Sequence, residues 1–318
     1  MLNVLTFIRK QLTGCLLPWS VQSAATEQFG CSHAELEELA LENGILPARY
    51  QRNQKMISTA EQLLLFRSRV AVIGCGGLGG YIIEQLARLG VGRIVAIDPD
   101  IFEEHNLNRQ LFATPSTLGQ AKVKAVVARV KEINPAVTVS PIRDAFCTAN
   151  GHEFLNGVTV AVDALDCISS RLELAEVCTD MHIPMVHGAI GGWYGHVATQ
   201  LPGDNTVQSI YRNWIQGKGI EKELGNPAFT PAVVASLQVS EVCKIVLGKG
   251  ELLRRCKLSI DLLDMEFYEI RYDGPVKVVY STISENVPEK AACCQYPSYA
   301  AVGGNGKPRS SDSCRCRD

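Results

Sequence analysis

Arg69-Val-Ala-Val-Ile-Gly-Cys-Gly-Gly-Leu-Gly79 is the stretch on which the fold turns. An apolar run breaks into GCGGLG (74–79), an amphipathic stretch YIIEQLARLG (81–90) follows, and a second apolar run, RIVAID (93–98), comes next. Apolar runs alternating with helical periodicity are the punctuation of strand–helix–strand units and predict a parallel sheet. Within the turn, Gly74, Gly76, Gly77 and Gly79 carry no side chains, so backbone N–H groups can approach phosphate oxygens. The helix that follows adds the positive end of its dipole. Asp98 closes the next strand about twenty residues on, where a carboxylate can accept hydrogen bonds from ribose hydroxyls. A nucleotide fits such a turn, but the turn alone does not choose among NAD, FAD and ATP.

The residues after Asp98 make the choice. Pro99 to Gln110 reads PDIFEEHNLNRQ, placing Asn106 and Arg109 just beyond the nucleotide strand, and Lys122 stands in the first turn of the next helix. Two cations and an amide suit a triphosphate, whose charge needs more neutralising than a dinucleotide's and whose cleavage builds charge on the leaving group. Arginine grips two oxygens in a fork and lysine supplies a point charge. Asp163 and Asp166 end the strand VTVAVD (158–163), at the carboxyl edge where open α/β sheets bind ligands. A carboxylate there can hold magnesium through oxygen ligation; the other reading is that one of the pair caps the following helix toward Arg171.

Working outward, Val123, Val126, Val127 and Val130 form one buried stripe of a helix that stops at Asn134-Pro135. Further strands are expected at 137–142, 183–189 and 196–201, with a helix around 171–181. An irregular stretch from Pro202 to Pro231 leads into the helix AVVASLQVSEVCKIVLG (232–248), then strands at 258–261, 266–272 and 276–280, the last two joined through Asp273-Gly274. Upstream, Ser32 and Glu35 form a capping box that opens a short helix ended by Gly44 and Pro47, while the first thirty residues show no firm pattern. The composition bounds the function. Across 318 residues, 46% apolar and 20% charged content speaks for a globular protein, and 31 Lys plus Arg against 33 Asp plus Glu leaves no field to gather nucleic acid. No run approaches the about 18 to 20 consecutive apolar residues of a membrane span. Arg9 and Lys10 interrupt the opening without a cleavage site, and the 12 irregularly spaced cysteines suit a reducing compartment, so a cytoplasmic protein is expected.

Taken together, RYQRN (49–53), GCGGLG (74–79), IDPDIFEEHNLNRQ (97–110), LGQAKV (118–123), INP (133–135), DALD (163–166) and ASLQVSEVCKIVLG (235–248) resemble the ThiF/MoeB/HesA proteins, bacterial relatives of ubiquitin-activating enzymes. The resemblance implies a doubly wound, Rossmann-like α/β fold with a mostly parallel sheet, a small N-terminal helical segment and C-terminal antiparallel strands. Three parts are expected: an extension with a short helix (1–48), an adenylation domain (49–283), and, from its Ser-, Gly-, Asn-, Pro- and Arg-rich composition, a flexible tail containing cysteines (284–318). The implied activity is adenylylation, with ATP and Mg2+, of the C-terminal glycine of a ubiquitin-fold sulfur carrier of thiamine or molybdopterin type. Carried over by residue, Gly77 becomes a backbone phosphate contact, Asp98 the ribose ligand, Asn106, Arg109 and Lys122 phosphate contacts, and Asp166 the magnesium ligand. Arg52 becomes a finger reaching the nucleotide of a neighbouring subunit in a homodimer.

The chain departs from the family pattern in three ways. It has no CxxC pair, which argues against the structural zinc of many members. The crossover between Pro202 and Pro231 has no cysteine, so adenylation without a thioester or acyl-disulfide step is expected. Asn53 stands where Gln is usual, and Cys167 where Asn often follows the magnesium Asp. The rival readings are an NAD(P)-dependent oxidoreductase, favoured by the glycine turn and Asp98, and a noncatalytic nucleotide-binding partner protein.

Overall fold

The computed structural model describes residues 2–212 and 224–272 in full and 277–280 as backbone. The Asp273-Gly274 turn and the tail from 284 lie outside the described residues. Residues Met1–Ser281 form one compact unit.

The opening segment is helical where no pattern was expected. It holds α1 (Leu2–Arg9), the short strand β1 (Leu16–Leu17) and α2 (Trp19–Phe29), which starts after Pro18 and ends on Gly30 at φ 66°. Gly30 supplies the left-handed conformation that commonly closes a helix. α3 (His33–Glu42) carries the expected capping box: Ser32 accepts from the Glu35 N–H, and Glu35 accepts from the Ser32 N–H. β2 (Leu46–Pro47) pairs parallel with β1, a 3-10 turn spans Ala48–Asn53, and α4 (Thr59–Arg67) follows behind a second capping box, Ser58–Glu61. Val4, Ile8, Leu17, Ala25, Leu36 and Ala40 give these helices their own core. A buried chain ties them to the main sheet: Tyr50 donates to Glu37 at 2.6 Å, and the Asn134 amide donates to Tyr50 at 2.7 Å. Burial pushes both the Glu37 carboxyl and the Tyr50 phenol up from their ordinary pKa values.

The main sheet begins with β3 (Arg69–Ile73), α5 (Gly77–Leu89), β4 (Arg93–Ile97), α6 (Lys122–Ile133) and β5 (Thr138–Ile142). It continues through α7 (Thr148–Phe154), β6 (Val160–Asp163), α8 (Ile168–Asp180), β7 (Met185–Gly191) and β8 (Tyr194–Gln200). After α9 (Thr206–Ile210) come α10 (Phe229–Leu247), β9 (Cys256–Asp261), β10 (Glu266–Arg271) and β11 (Lys277–Tyr280). The strand order is β11-β10-β9-β8-β7-β6-β3-β4-β5. Pairing is parallel from β5 through β4, β3 and β6 to β7, and antiparallel from β7 through β11. Both faces of the parallel part are covered, which is why its strands read as near-continuous apolar runs. Val70, Val72, Ile94 and Ala96 pack in one core with Ile82, Leu86 and Val126, while Ala71, Ile73, Val95 and Ile97 pack in another with Leu174 and Cys178.

α10 is long and apolar enough to cross a membrane by length and composition. Here it is a core helix: Val234, Ala235, Val239 and Val242 are buried in the same cluster as Ile82, Leu86 and Val186.

Candidate functional site

The chain leaves β3 toward β4 on one side and lies beside β6 on the other, so the sheet order reverses between β3 and β6. Loops after two such strands diverge and leave a crevice at their carboxyl ends. A cleft of about 860 Å³ opens there, lined among others by Gly74, Gly76, Gly77, Asp98, Asp100, Arg109, Gln110, Lys122 and Asp166.

The glycines divide into two pairs. Gly74 sits at φ 99°, and a Cβ on it would stand 2.5 Å from the Ala164 carbonyl oxygen; a Cβ on Gly79 would stand 1.9 Å from the Gly74 oxygen. These two let α5 settle against β3 and the turn after β6, and Gly79 is buried away from the cleft wall rather than on it. Gly76 and Gly77 face the cleft. A Cβ on Gly76 would first meet the Gln110 amide at 3.4 Å, and one on Gly77 would reach nothing nearer than 3.8 Å. Gly77 opens the 13-residue α5, so its N–H lies at the positive end of a full-length helix.

Asp98 is buried and held on both oxygens. It accepts the Cys75 N–H at 2.7 Å and the Asp100 N–H at 2.8 Å. Lys122, buried at the start of α6, lies 2.8 Å from Asp100 and 3.7 Å from Asp98. The end of β4 is thereby pinned to α6, and Asp100 joins the site without having been foreseen. Burial, aided by the Asp98 charge, pushes the Cys75 thiol well above its ordinary pKa, so it stays protonated and is no nucleophile. Arg109 is half-buried on the wall, donating from one nitrogen to the His105 carbonyl and the Asn108 side chain, each at 2.9 Å. Burial pulls its pKa down while the charge of Asp166, another residue of the cleft wall, pushes it back.

Three residues singled out in the sequence lie off this chain's cleft wall. Asn106 is buried off the cleft wall; its side-chain oxygen accepts the Glu103 N–H at 3.0 Å and caps a short turn. Arg52 is exposed on the 3-10 turn and lines no part of its own chain's cleft. Asp163 is fully buried and does not cap α8, whose N-cap residue is Cys167. Its carboxylate accepts the Leu165 N–H at 2.9 Å and contacts His187 Nδ1 at 2.6 Å, while Arg171 holds the Leu165 carbonyl oxygen through two nitrogens at 3.1 and 2.5 Å. Asp166, by contrast, is exposed on the wall. Of the two departures, Asn53 donates to Gln62 at 3.5 Å, and Cys167 is exposed with its sulfur 3.0 Å from the Ser169 hydroxyl, a contact that lowers the thiol's pKa.

Gln110 and Asn226 also line the wall, and neither had a stated role in the sequence. Gln110, part of the quoted motif, is buried with its carbonyl oxygen unpartnered among the described residues. Asn226 reaches the wall from beyond the crossover, and its backbone oxygen accepts from Asn108 at 3.0 Å; nothing in its surroundings in sequence marks it.

Among the described residues no group of three or more His, Cys, Asp or Glu gathers to hold a metal. Of the carboxylates on the cleft wall, Asp98 is held by two backbone N–H groups and Asp100 by Lys122, while Asp166 is exposed beside cationic and glycine surfaces. That donor set fits Mg2+, which is bound through one or two carboxylates plus substrate phosphates rather than by an all-protein cage.

Comparison with known proteins agrees with this geometry. The SAMP-activating enzyme E1 of Haloferax volcanii is 34% identical over 228 residues, covering 70% of this chain and 84% of the relative. The adenylyltransferase and sulfurtransferase MOCS3 of Arabidopsis thaliana is 31% identical over 242 residues, covering 74% of this chain and 52% of that longer protein. Among solved structures, E. coli MccB with MccA matches at TM-score 0.60 and 20% identity, over 79% of this chain and 82% of that one, a likeness of fold. The ThiF family model matches residues 50–277, and on that span the chain belongs to the ThiF family and is a nucleotidyltransferase.

Proposed function

We propose that this chain uses ATP to activate the C-terminal glycine of a ubiquitin-fold sulfur carrier, forming an acyl-adenylate and releasing pyrophosphate. The observation that carries the reading is the cleft itself. Open glycine backbone at Gly76 and Gly77, the anchored Asp98 and the cations Arg109 and Lys122 converge at the one place where the strand order reverses. Asp98 is oriented by two backbone N–H groups, which leaves it preset to accept from ribose hydroxyls. The N-terminus of α5 and the two cations take the phosphate charge, and Arg109 beside Asp166 lies where charge grows as pyrophosphate departs. A carrier carboxylate attacks the α-phosphorus, the bond to the bridging oxygen breaks, and the electron pair leaves with pyrophosphate. Asp166 would hold magnesium, which supplies charge neutralisation on the phosphate oxygens.

The exposed placement of Arg52, off its own chain's cleft, supports a role at a neighbouring subunit's nucleotide in a homodimer. The buried, protonated Cys75 and the absence of cysteine from 202–231 in the sequence support adenylation without an enzyme thioester. The test is ATP–pyrophosphate exchange with carriers ending in Gly-Gly. Exchange is expected with at least one such carrier, and Arg109→Ala is expected to slow it about 10²- to 10³-fold with the melting temperature kept. Exchange that is absent with every carrier, or undiminished in Arg109→Ala, refutes the reading.

A further inference from the structure

Behind the Asp166 side of the cleft lies a buried polar chain that adenylation as described leaves unused. His187 on β7 and Asp163 at the end of β6 are fully buried, and Arg171 on α8 is 1% exposed. His187 touches Asp163 through Nδ1 at 2.6 Å; its Nε2 lies 3.0 Å from His196 Nε2 and 3.2 Å from the Tyr211 hydroxyl. Arg171 donates to that hydroxyl at 3.0 Å. Arg171 donates to the Tyr211 oxygen, Tyr211 donates to His187 Nε2, and His187 Nδ1–H donates to Asp163, with His196 Nε2 beside the same nitrogen. Burial pulls both histidines below their ordinary pKa, in keeping with neutral rings that each present one donor and one acceptor.

The far end of this chain is the turn that carries Asp166. Asp163 holds the Leu165 N–H, and Arg171 holds the Leu165 carbonyl oxygen with two nitrogens. That oxygen belongs to the peptide joining Leu165 to Asp166, so the plane of this peptide, and with it the start of the Asp166 side chain, is fixed by Arg171. Tyr211 stands at the other end, directly after α9, in the crossover that joins β8 to α10. We propose that Tyr211 and His187 are positioning residues that hold Arg171 and Asp163, and through them the Leu165–Asp166 turn, so that the Asp166 carboxylate is set in place. The proposal rests on Asp166 as the magnesium ligand.

The experiment is a Mg2+ titration of the full chain with a nonhydrolysable ATP analogue, read as the rise in melting temperature. A parallel analogue titration is run in EDTA. Tyr211→Phe keeps the ring and removes the hydroxyl. His187→Asn keeps a donor toward Asp163 and removes the link to Tyr211. Each is expected to raise the Mg2+ concentration for half-maximal effect about 10-fold, with analogue binding in EDTA unchanged. Wild-type Mg2+ dependence in both variants overturns the proposal, and so does an equal loss of analogue binding with and without metal, which marks a merely structural role. Asp166→Asn separates this from the reading beneath it. If Asp166→Asn removes the Mg2+ response while the other two variants keep it, only the positioning link falls; if Asp166→Asn also responds normally, the magnesium assignment falls with it.

Discussion

The two walls of the cleft are built on opposite principles. On the β3–α5–β4 side, glycines and charges turn toward the space a ligand would fill: Gly76 and Gly77 are open, and Lys122 and Arg109 border the cleft. On the β6–α8 side Asp166 stands exposed on the wall, while Asp163, Arg171, His187, His196 and Tyr211 are linked to one another by hydrogen bonds. A wall that contacts a ligand through backbone must be thin and can tolerate little filling. A wall that presents one carboxylate must hold that carboxylate still, and it does so with a buried polar network whose stakes are high because every member depends on the others.

The sharpest way to break the comparison is to add one methyl group on each side of the glycine division. In Gly79→Ala the new Cβ would stand 1.9 Å from the Gly74 carbonyl oxygen, a backbone atom that cannot swing aside. The loss is expected at or beyond the top of the about 1–3 kcal/mol range of overpacked cores, seen as a collapsed melting temperature or absence of folded protein. In Gly76→Ala the nearest atom is the tip of the Gln110 side chain at 3.4 Å, and the backbone φ is −84°. That variant is expected to melt with the parent and lose ATP binding by calorimetry. Equal melting of the two variants would mean that the four glycines share one role.

On the other wall the matching change is Arg171→Met, which keeps the bulk and removes the charge. Arg171 is 1% exposed and lies 3.8 Å from the fully buried Asp163. Removing one member of such a pair leaves an uncompensated buried charge and costs about 3–5 kcal/mol. Chemical denaturation should show a lower midpoint with the slope unchanged, and a midpoint within error of the parent would mean that His187 alone satisfies Asp163.

The same division explains what was legible in the sequence. The glycine turn, Asp98, Arg109 and Lys122 were readable because their residue types are unusual for their positions, and ligand chemistry demands them. The strands were readable because burial on both faces leaves only apolar residues. The histidine network was not: His187 and His196 sit inside stretches that read as strands, IPMVHGA and HVATQL, and only the pairing of β7 with β8 brings them together. Asn106 was legible in part. A short polar residue beside two cations reads as a phosphate contact; in the structure its side-chain oxygen accepts the Glu103 N–H, as Asn side chains often do at turns. In the first thirty residues the helices are brief and lean on a small shared core, so tertiary packing, absent from local pattern, decides them.

α4 is the counterexample, since its signal was present and passed over. Ser58 accepts the Glu61 N–H, and Glu61 accepts the Ser58 N–H at 2.8 Å, repeating the Ser32–Glu35 box that did announce α3. Ser58→Ala should cost about 1 kcal/mol, the smallest of the effects here, and Ser32→Ala a similar amount, because a cap is a local device whichever core its helix joins. The two boxes differ in one respect. The Glu61 carboxylate also meets Lys249 at 2.5 Å, just beyond the end of α10, and that contact, with the Ser58 N–H next, pulls its pKa down to about 2. A carboxyl with a folded pKa below its ordinary 4.5 contributes stability that is complete above 4.5 and is lost as pH falls through about 2. The gap between the parent and Ser58→Ala, followed by denaturant midpoints from pH 6 downward, should therefore hold steady to about 4.5 and narrow below it. A gap that stayed constant to pH 2 would mean that the Ser58 hydroxyl contributes through the Glu61 N–H it accepts and that its own donation to the Glu61 carboxylate is without effect.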